Sequence, residues 1–115
     1  MKLLKSFGYA WNGLKVAVKE EPNLKIHLAI AVVVIAMGFY FHISTIEWTV
    51  LLILIGVVIS LELLNSAIER LTDLVTKERL PLAGKVKDIS AAAVLVASVI
   101  ALLVGITIFT GYIFN

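Results

Sequence analysis

Apolar residues run almost unbroken through three stretches of this chain, and polar residues collect between them. The first stretch, Ile26 to Phe41, has 16 residues, with His27 near its start and no formal charge. The second begins at Trp48 and is uncharged to Leu61. It continues apolar through Leu63, Leu64, Ala67 and Ile68, interrupted by Glu62 and Asn65. The third is uncharged from Ile89 to Phe114. All three are too long for strands, so the pattern predicts helices. A helix needs about 20 mostly apolar residues to cross a bilayer. With their flanks the spans fall at about residues 24–43, 47–70 and 88–113 of a single membrane domain, residues 1–115.

Residues 1–20 carry a different period. Leu3, Phe7, Trp11, Leu14 and Val18 fall on one helical face, while Lys2, Lys5, Asn12, Lys15 and Lys19 avoid it. This is the pattern of an amphipathic helix lying on a membrane surface. A plain anchor with no further role has the same pattern. Pro22 biases Glu21 away from helical geometry and predicts a bend there. Thr76 to Val86, with Pro81 and Gly84, reads as a turn or short linker. The architecture expected is therefore all-α: a surface helix followed by three transmembrane helices.

Composition sharpens this. Hydrophobic residues make up 61% of the 115 residues and charged residues 16%, against roughly 45–50% and about 25% in soluble domains. A small soluble domain has too much surface per volume to hide so much apolar side chain. The first span starts too far from Met1 for a cleavable signal peptide, and no small-residue cleavage site precedes a soluble domain. There is no cysteine, which excludes disulfides, thiolate metal sites and cysteine nucleophiles.

Net charge is only +2, a poor basis for nucleic-acid binding, but its distribution is informative. All ten basic residues lie before the first span or between the second and third: Lys2, Lys5, Lys15, Lys19, Lys25, Arg70, Lys77, Arg79, Lys85 and Lys87. The loop His42–Glu47 and the C-terminal tail have none. The positive-inside rule then places the N-terminus and the Arg70–Lys87 region in the cytoplasm. The short loop and the C-terminus fall outside.

Candidate chemistry concentrates on the second helix. Glu62, Asn65, Glu69 and Asp73 are spaced i, i+3, i+7 and i+11 and form one polar stripe at 100° per residue. Glu62 and Glu69 are about 10 Å apart along the axis, from the ~1.5 Å rise per residue. An ionisable residue inside a span is costly and marks a functional site by default. The competing explanation is structural: Glu62 and Asn65 hydrogen-bond between helices, and Glu69 and Asp73 form a solvated end facing Arg70 and Lys77. Glu20, Glu21, Lys87 and Asp88 fall at the same membrane face. Carboxylates facing each other with no basic partner suit Mg²⁺, which takes carboxylates together with substrate phosphates, and nearby lysines suit phosphate oxygens. Taken alone, Lys87-Asp88 is equally a helix start, with Asp88 as N-cap.

Other chemistries find no support. Gly84-Lys85 lacks the earlier glycine of a phosphate loop and is followed by Val86, and no G-x-G-x-x-G occurs. His27 and His42 lie on opposite membrane sides and cannot share a metal. No Ser-His-Asp arrangement is evident, and Gly8/Gly13 or Gly105/Gly111 make no convincing G-x-x-x-G face.

The run Glu62-Leu-Leu-Asn65-Ser-Ala-Ile-Glu69, followed by Lys87-Asp88-Ile-Ser-Ala-Ala-Ala-Val-Leu95, resembles the signature of the small prokaryotic diacylglycerol kinase and undecaprenol kinase family. Gly8-Tyr9-Ala10-Trp11-Asn12-Gly13-Leu14 and Glu21 match its N-terminal pattern, and the register runs ungapped over nearly the whole chain. The resemblance implies a homotrimer of three-span subunits with active sites shared between neighbours. It implies ATP- and Mg²⁺-dependent phosphorylation of a lipid hydroxyl at the cytoplasmic face. It assigns Glu62 as base, and Glu21 and Glu69 to the metal and ATP phosphates. Lys2, Tyr9, Lys87 and Asp88 would contact nucleotide, and Asn65 and Asp73 would support the stripe. Pro22 to His27 and Pro81-Leu82-Ala83 look like the undecaprenol kinase branch, whereas Ser66 is the form seen in enterobacterial diacylglycerol kinases. Lys2 stands where an arginine is frequent, and Leu80 replaces a common histidine.

The physics agrees with that division of labour. Glu62 is the deeper carboxylate, where a lipid hydroxyl can reach, and desolvation makes a carboxylate a better proton acceptor. Glu69 is nearer water. Phosphoryl transfer needs mainly positioning and charge neutralisation. The expectation is a lipid kinase of the bacterial cytoplasmic membrane acting on undecaprenol, with diacylglycerol the alternative. A non-enzymatic scaffold, whose stripe only specifies helix pairing, is the competing class. An ion carrier would need a polar path across the outer halves of the spans, and they supply almost none.

Overall fold

The computed structural model describes all residues, Met1–Asn115, as four helices with no strand: α1 (Lys2–Glu20), α2 (Pro22–Phe41), α3 (Thr45–Val75) and α4 (Pro81–Ile113). The break between α1 and α2 is a single residue. Glu21 is extended, at φ −108° and ψ 105°, because the ring of Pro22 disfavours helical geometry in the residue before it. Pro22 then opens α2 at a position where its missing N–H costs nothing.

The turn from α2 to α3 is equally tight. His42 adopts the left-handed conformation at φ 53°, and Gly38 O accepts the Ile43 amide at 3.2 Å, so carbonyls at the helix end are satisfied. Ser44 and Glu47 then cap α3 reciprocally. Ser44 Oγ accepts the Glu47 amide at 3.1 Å, and the Glu47 carboxylate accepts the Ser44 amide at 2.9 Å. The Tyr112 hydroxyl of α4 donates to the same carboxylate.

α2, α3 and α4 are all long and apolar enough to cross a membrane. This is a multi-pass membrane protein. α3 and α4 have 31 and 33 residues, about 46 and 50 Å at ~1.5 Å per residue. Both outrun a hydrocarbon core about 30 Å thick. They overhang at the same end, where Lys87 Nζ meets Asp73 Oδ1 at 2.6 Å. The turn expected over Thr76–Val86 is therefore shorter than the sequence suggested. α4 already begins at Pro81, because proline is well suited to the first helical position. Asp88 lies two turns inside that helix and caps nothing.

The α3–α4 register is constant. Moving 26 residues along α3, from Glu47 to Asp73, moves the partner 25 residues back along α4, from Tyr112 to Lys87. Leu51 packs with Phe109 in the same register, joined by Ile43. Phe41, Trp48 and Tyr112 surround this cluster, and Phe41 sits 6.0 Å from both Phe109 and Tyr112 by ring centroids. Such aromatics suit a membrane interface, where one end of the ring is wet. Gly38 lies beneath Trp48: a Cβ there would come within 2.6 Å of its Cη2. Only 14 of 115 residues are buried, so most apolar side chains face outward and need lipid or another protein chain against them.

Removing the Ser44 hydroxyl should cost about 1 kcal/mol of stability, the usual worth of a helix cap. Thermal unfolding in one detergent, followed by helical ellipticity, should show Ser44→Ala melting below wild type and Ser44→Asp close to it.

Candidate active site

Glu62 is buried on α3, well inside the span. His27, on α2, brings Nε2 to 3.6 Å from its carboxylate, too long for a hydrogen bond but within ion-pair range once the imidazole is protonated. Asn65 and Ser66, one turn further along α3, are also buried. Asn65 Nδ2 donates to Glu69 Oε1 at 3.3 Å, while Asn65 Oδ1 is buried with no hydrogen-bond partner. Glu62 and Asn65 of the stripe read from the sequence are therefore turned in among the helices, and one hydrogen bond, Asn65 to Glu69, continues the row. Its far end differs: Asp73 is exposed and pairs with Lys87 rather than with its own helix.

Glu21 joins this row from the α1–α2 break. Its Oε1 accepts from Ser66 Oγ at 2.8 Å and from Arg70 Nη2 at 2.9 Å. Arg70 also reaches Glu20 at 3.5 Å. The Arg70 guanidinium, and after it the Ser66 hydroxyl, hold the Glu21 carboxyl below the usual carboxylate range. Glu21 is thus ionised at neutral pH. The expectation of carboxylates without a basic partner is corrected here. Arg70 stands one turn beyond Ser66 on the side of α3 that faces Glu21, so the two meet as soon as α2 packs down. The carboxylates of Glu21 and Glu69 both lie within electrostatic reach of Glu62.

Two α1 residues stay apart from this cluster. Lys2 and Tyr9 are exposed, and their side chains make no hydrogen bond or ion pair within the chain. Asp88 is likewise exposed on α4. α1 packs through the buried Ala17, near its C-terminal end, and its N-terminal part leaves the site.

Three residues around the site escaped the sequence reading: His27, Ser66 and Arg70. The signal for them is register. A three-residue connection forces α2 and α3 antiparallel, so stepping from Glu21 to His27 on α2 moves the partner back from Ser66 to Glu62 on α3. The α3–α4 register likewise sets Ser98 across from Glu62, and its Oγ is buried without a partner.

The donors present are hard oxygens. Glu21 and Glu69 each commit one carboxylate oxygen to a hydrogen bond, leaving the other, and Asn65 Oδ1 is unpartnered. No three His, Asp or Glu side chains converge as a metal site by themselves. That pattern fits Mg²⁺, which is commonly held by one or two carboxylates plus substrate phosphates. Chemically, the row offers a buried base at one end and anion- and cation-binding groups at the wetter end.

The chain is similar to known proteins over most of its length. The family model for prokaryotic diacylglycerol kinase matches residues 8–109. An undecaprenol kinase of Bacillus subtilis is 43% identical over 108 residues, covering 94% of this chain and 88% of its own. A diacylglycerol kinase of Synechocystis is 38% identical, covering 90% of this chain and 59% of its own. That of Escherichia coli K12 is 29% identical, covering 89% and 84%. Glu21, the Glu62–Glu69 row and the Lys87-Asp88 pair all fall within the matched region. The chain belongs to the prokaryotic diacylglycerol kinase family and is a membrane lipid kinase.

Proposed function

We propose that this protein phosphorylates undecaprenol at the cytoplasmic membrane face, using Mg·ATP, with diacylglycerol as the alternative substrate. The observation that carries the reading is Glu62: a carboxylate buried within a span, at the head of a polar row leading to the charged end. The 43% identity to an undecaprenol kinase supports the lipid preferred. The ten-to-zero distribution of basic residues supports a cytoplasmic N-terminus and an external C-terminus.

Glu62 is the general base. The lipid hydroxyl gives its proton to the Glu62 carboxylate as its oxygen bonds to the γ-phosphorus of ATP. The bond from that phosphorus to the bridging oxygen breaks, and ADP leaves with the electron pair. His27, beside Glu62, is a positioning residue that keeps the carboxylate turned inward. Glu21 and Glu69 would hold Mg²⁺, with Asn65 Oδ1 as a further oxygen donor, and Mg²⁺ when bound supplies neutralisation of phosphate charge. Arg70 orders Glu21. Lys87 and Asp88 contact nucleotide, and Asp73 supports Lys87. Lys2 and Tyr9 are exposed, which suits nucleotide contacts made across a subunit boundary. The outward-facing apolar surface suits a homotrimer in which neighbours complete one another's sites.

Glu62→Gln should lower kcat by about 10²-fold or more, the usual worth of a general base. Glu69→Gln should abolish turnover at ordinary Mg²⁺ concentrations. Size-exclusion chromatography should show both variants with the wild-type oligomer. Full activity in both would overturn the assignment, and altered assembly without any lipid phosphorylation in wild type would favour the scaffold. Initial rates on undecaprenol and diacylglycerol in the same vesicles should favour undecaprenol; a clear excess on diacylglycerol would reverse the lipid assignment.

A further inference from the structure

An apolar cavity of about 530 Å³ lies between α2, α3 and α4. Its polar end is formed by His27, 3.6 Å from the Glu62 carboxylate, and by Ser98, whose hydroxyl is buried and unpartnered. Ile59, one turn from Glu62, lines the same end. From there the walls are almost wholly hydrocarbon, ending at Ile113 and at Phe109 of the cluster beside the α2–α3 turn. Ser98 to Ile113 is about 22 Å along α4 at ~1.5 Å per residue. The cavity thus begins near the proposed base and runs away from the charged end, towards the opposite membrane face.

Resting on the kinase reading above, we infer that this groove holds the hydrocarbon tail of the substrate alcohol as one long chain crossing the bilayer midplane. A leaflet accounts for only about 15 Å of a ~30 Å hydrocarbon core. The two tails of a diacylglycerol stay within one leaflet and compete for a single groove. A single prenyl chain passes through it and continues. The hydrophobic effect does not drive this step, since the alternative surroundings are already hydrocarbon. The gain is packing: the groove must be filled, because an unfilled wall forfeits its dispersion contacts. A tail attached to the reacting hydroxyl fills it while keeping that hydroxyl beside Glu62. Gly105 sets the bore. It lines the middle of the groove, and a Cβ there meets nothing within 4 Å. A Cβ at 105 therefore enters open space, and a longer side chain built on it narrows the channel.

The test uses full-length protein in phosphatidylcholine vesicles, with prenyl alcohols of increasing length and diacylglycerol as substrates. In wild type, kcat/KM should rise with chain length and level off once the tail fills the groove. In Gly105→Leu the advantage of long over short prenols should shrink by roughly tenfold, the low end of what one methylene decides in an apolar pocket. Gly111→Leu, exposed on another face of α4, should leave that ratio unchanged. An unchanged ratio in an active Gly105→Leu overturns the groove assignment but not the kinase reading. Equal loss on every substrate with altered oligomer size means that a second copy fills the groove, and also overturns it. A flat chain-length series in wild type does so without any variant. Phosphorylation of no lipid alcohol by wild type overturns the kinase reading itself.

Discussion

A carboxylate inside the hydrocarbon layer is expensive, on the order of 3 kcal/mol for an acidic residue at the centre of an inserted helix. Glu62 carries that cost, and much of the fold is organised around it. Its side chain turns away from lipid, towards His27 on α2 and the level of Ser98 on α4. The next turns of α3 extend polarity outward through Asn65, Ser66 and Glu69. Ion pairs join the helices where the row reaches the charged end, Glu21 with Arg70 and Asp73 with Lys87.

Holding such a row together needs two antiparallel registers that do not slip. Both ends of the α3–α4 pair are pinned by polar contacts, Glu47 with Tyr112 and Asp73 with Lys87. The α2–α3 pair is pinned by its short turn, by Glu21 on Ser66 and Arg70, and by Gly38 beneath Trp48. A slip of one residue would turn every side chain of a helix by about 100° and carry Glu62 towards lipid. The tight single-residue break at Glu21 belongs to the same device, since it delivers a carboxylate to α3 at a fixed level.

Much of this was legible in the sequence, for identifiable reasons. Uninterrupted apolar runs left no alternative to spanning helices, and Pro22 marked the break at Glu21. Helical spacing alone put Glu62, Asn65 and Glu69 on one face. What depends on two helices meeting was harder to see. Ser66 and Arg70 sit to one side of the stripe and declare themselves only once α2 is laid against α3. The start of α4 was placed too late because Pro81 and Gly84 are also turn residues, and only the preceding extended Leu80 decides that Pro81 opens a helix. Lys2, Tyr9 and Asp88 stand apart in the single chain because nothing within it opposes them.

The central claim is that the reacting alcohol meets Glu62 inside the helical layer, and photolabelling tests it most directly. An undecaprenol analogue with a diazirine on its first isoprene unit, irradiated with the protein in vesicles and mapped by mass spectrometry, should label His27, Glu62 or Ser98. Undecaprenol should suppress that labelling. Labelling confined to outward-facing side chains such as Val57 and Leu64, with no competition by undecaprenol, would contradict the account.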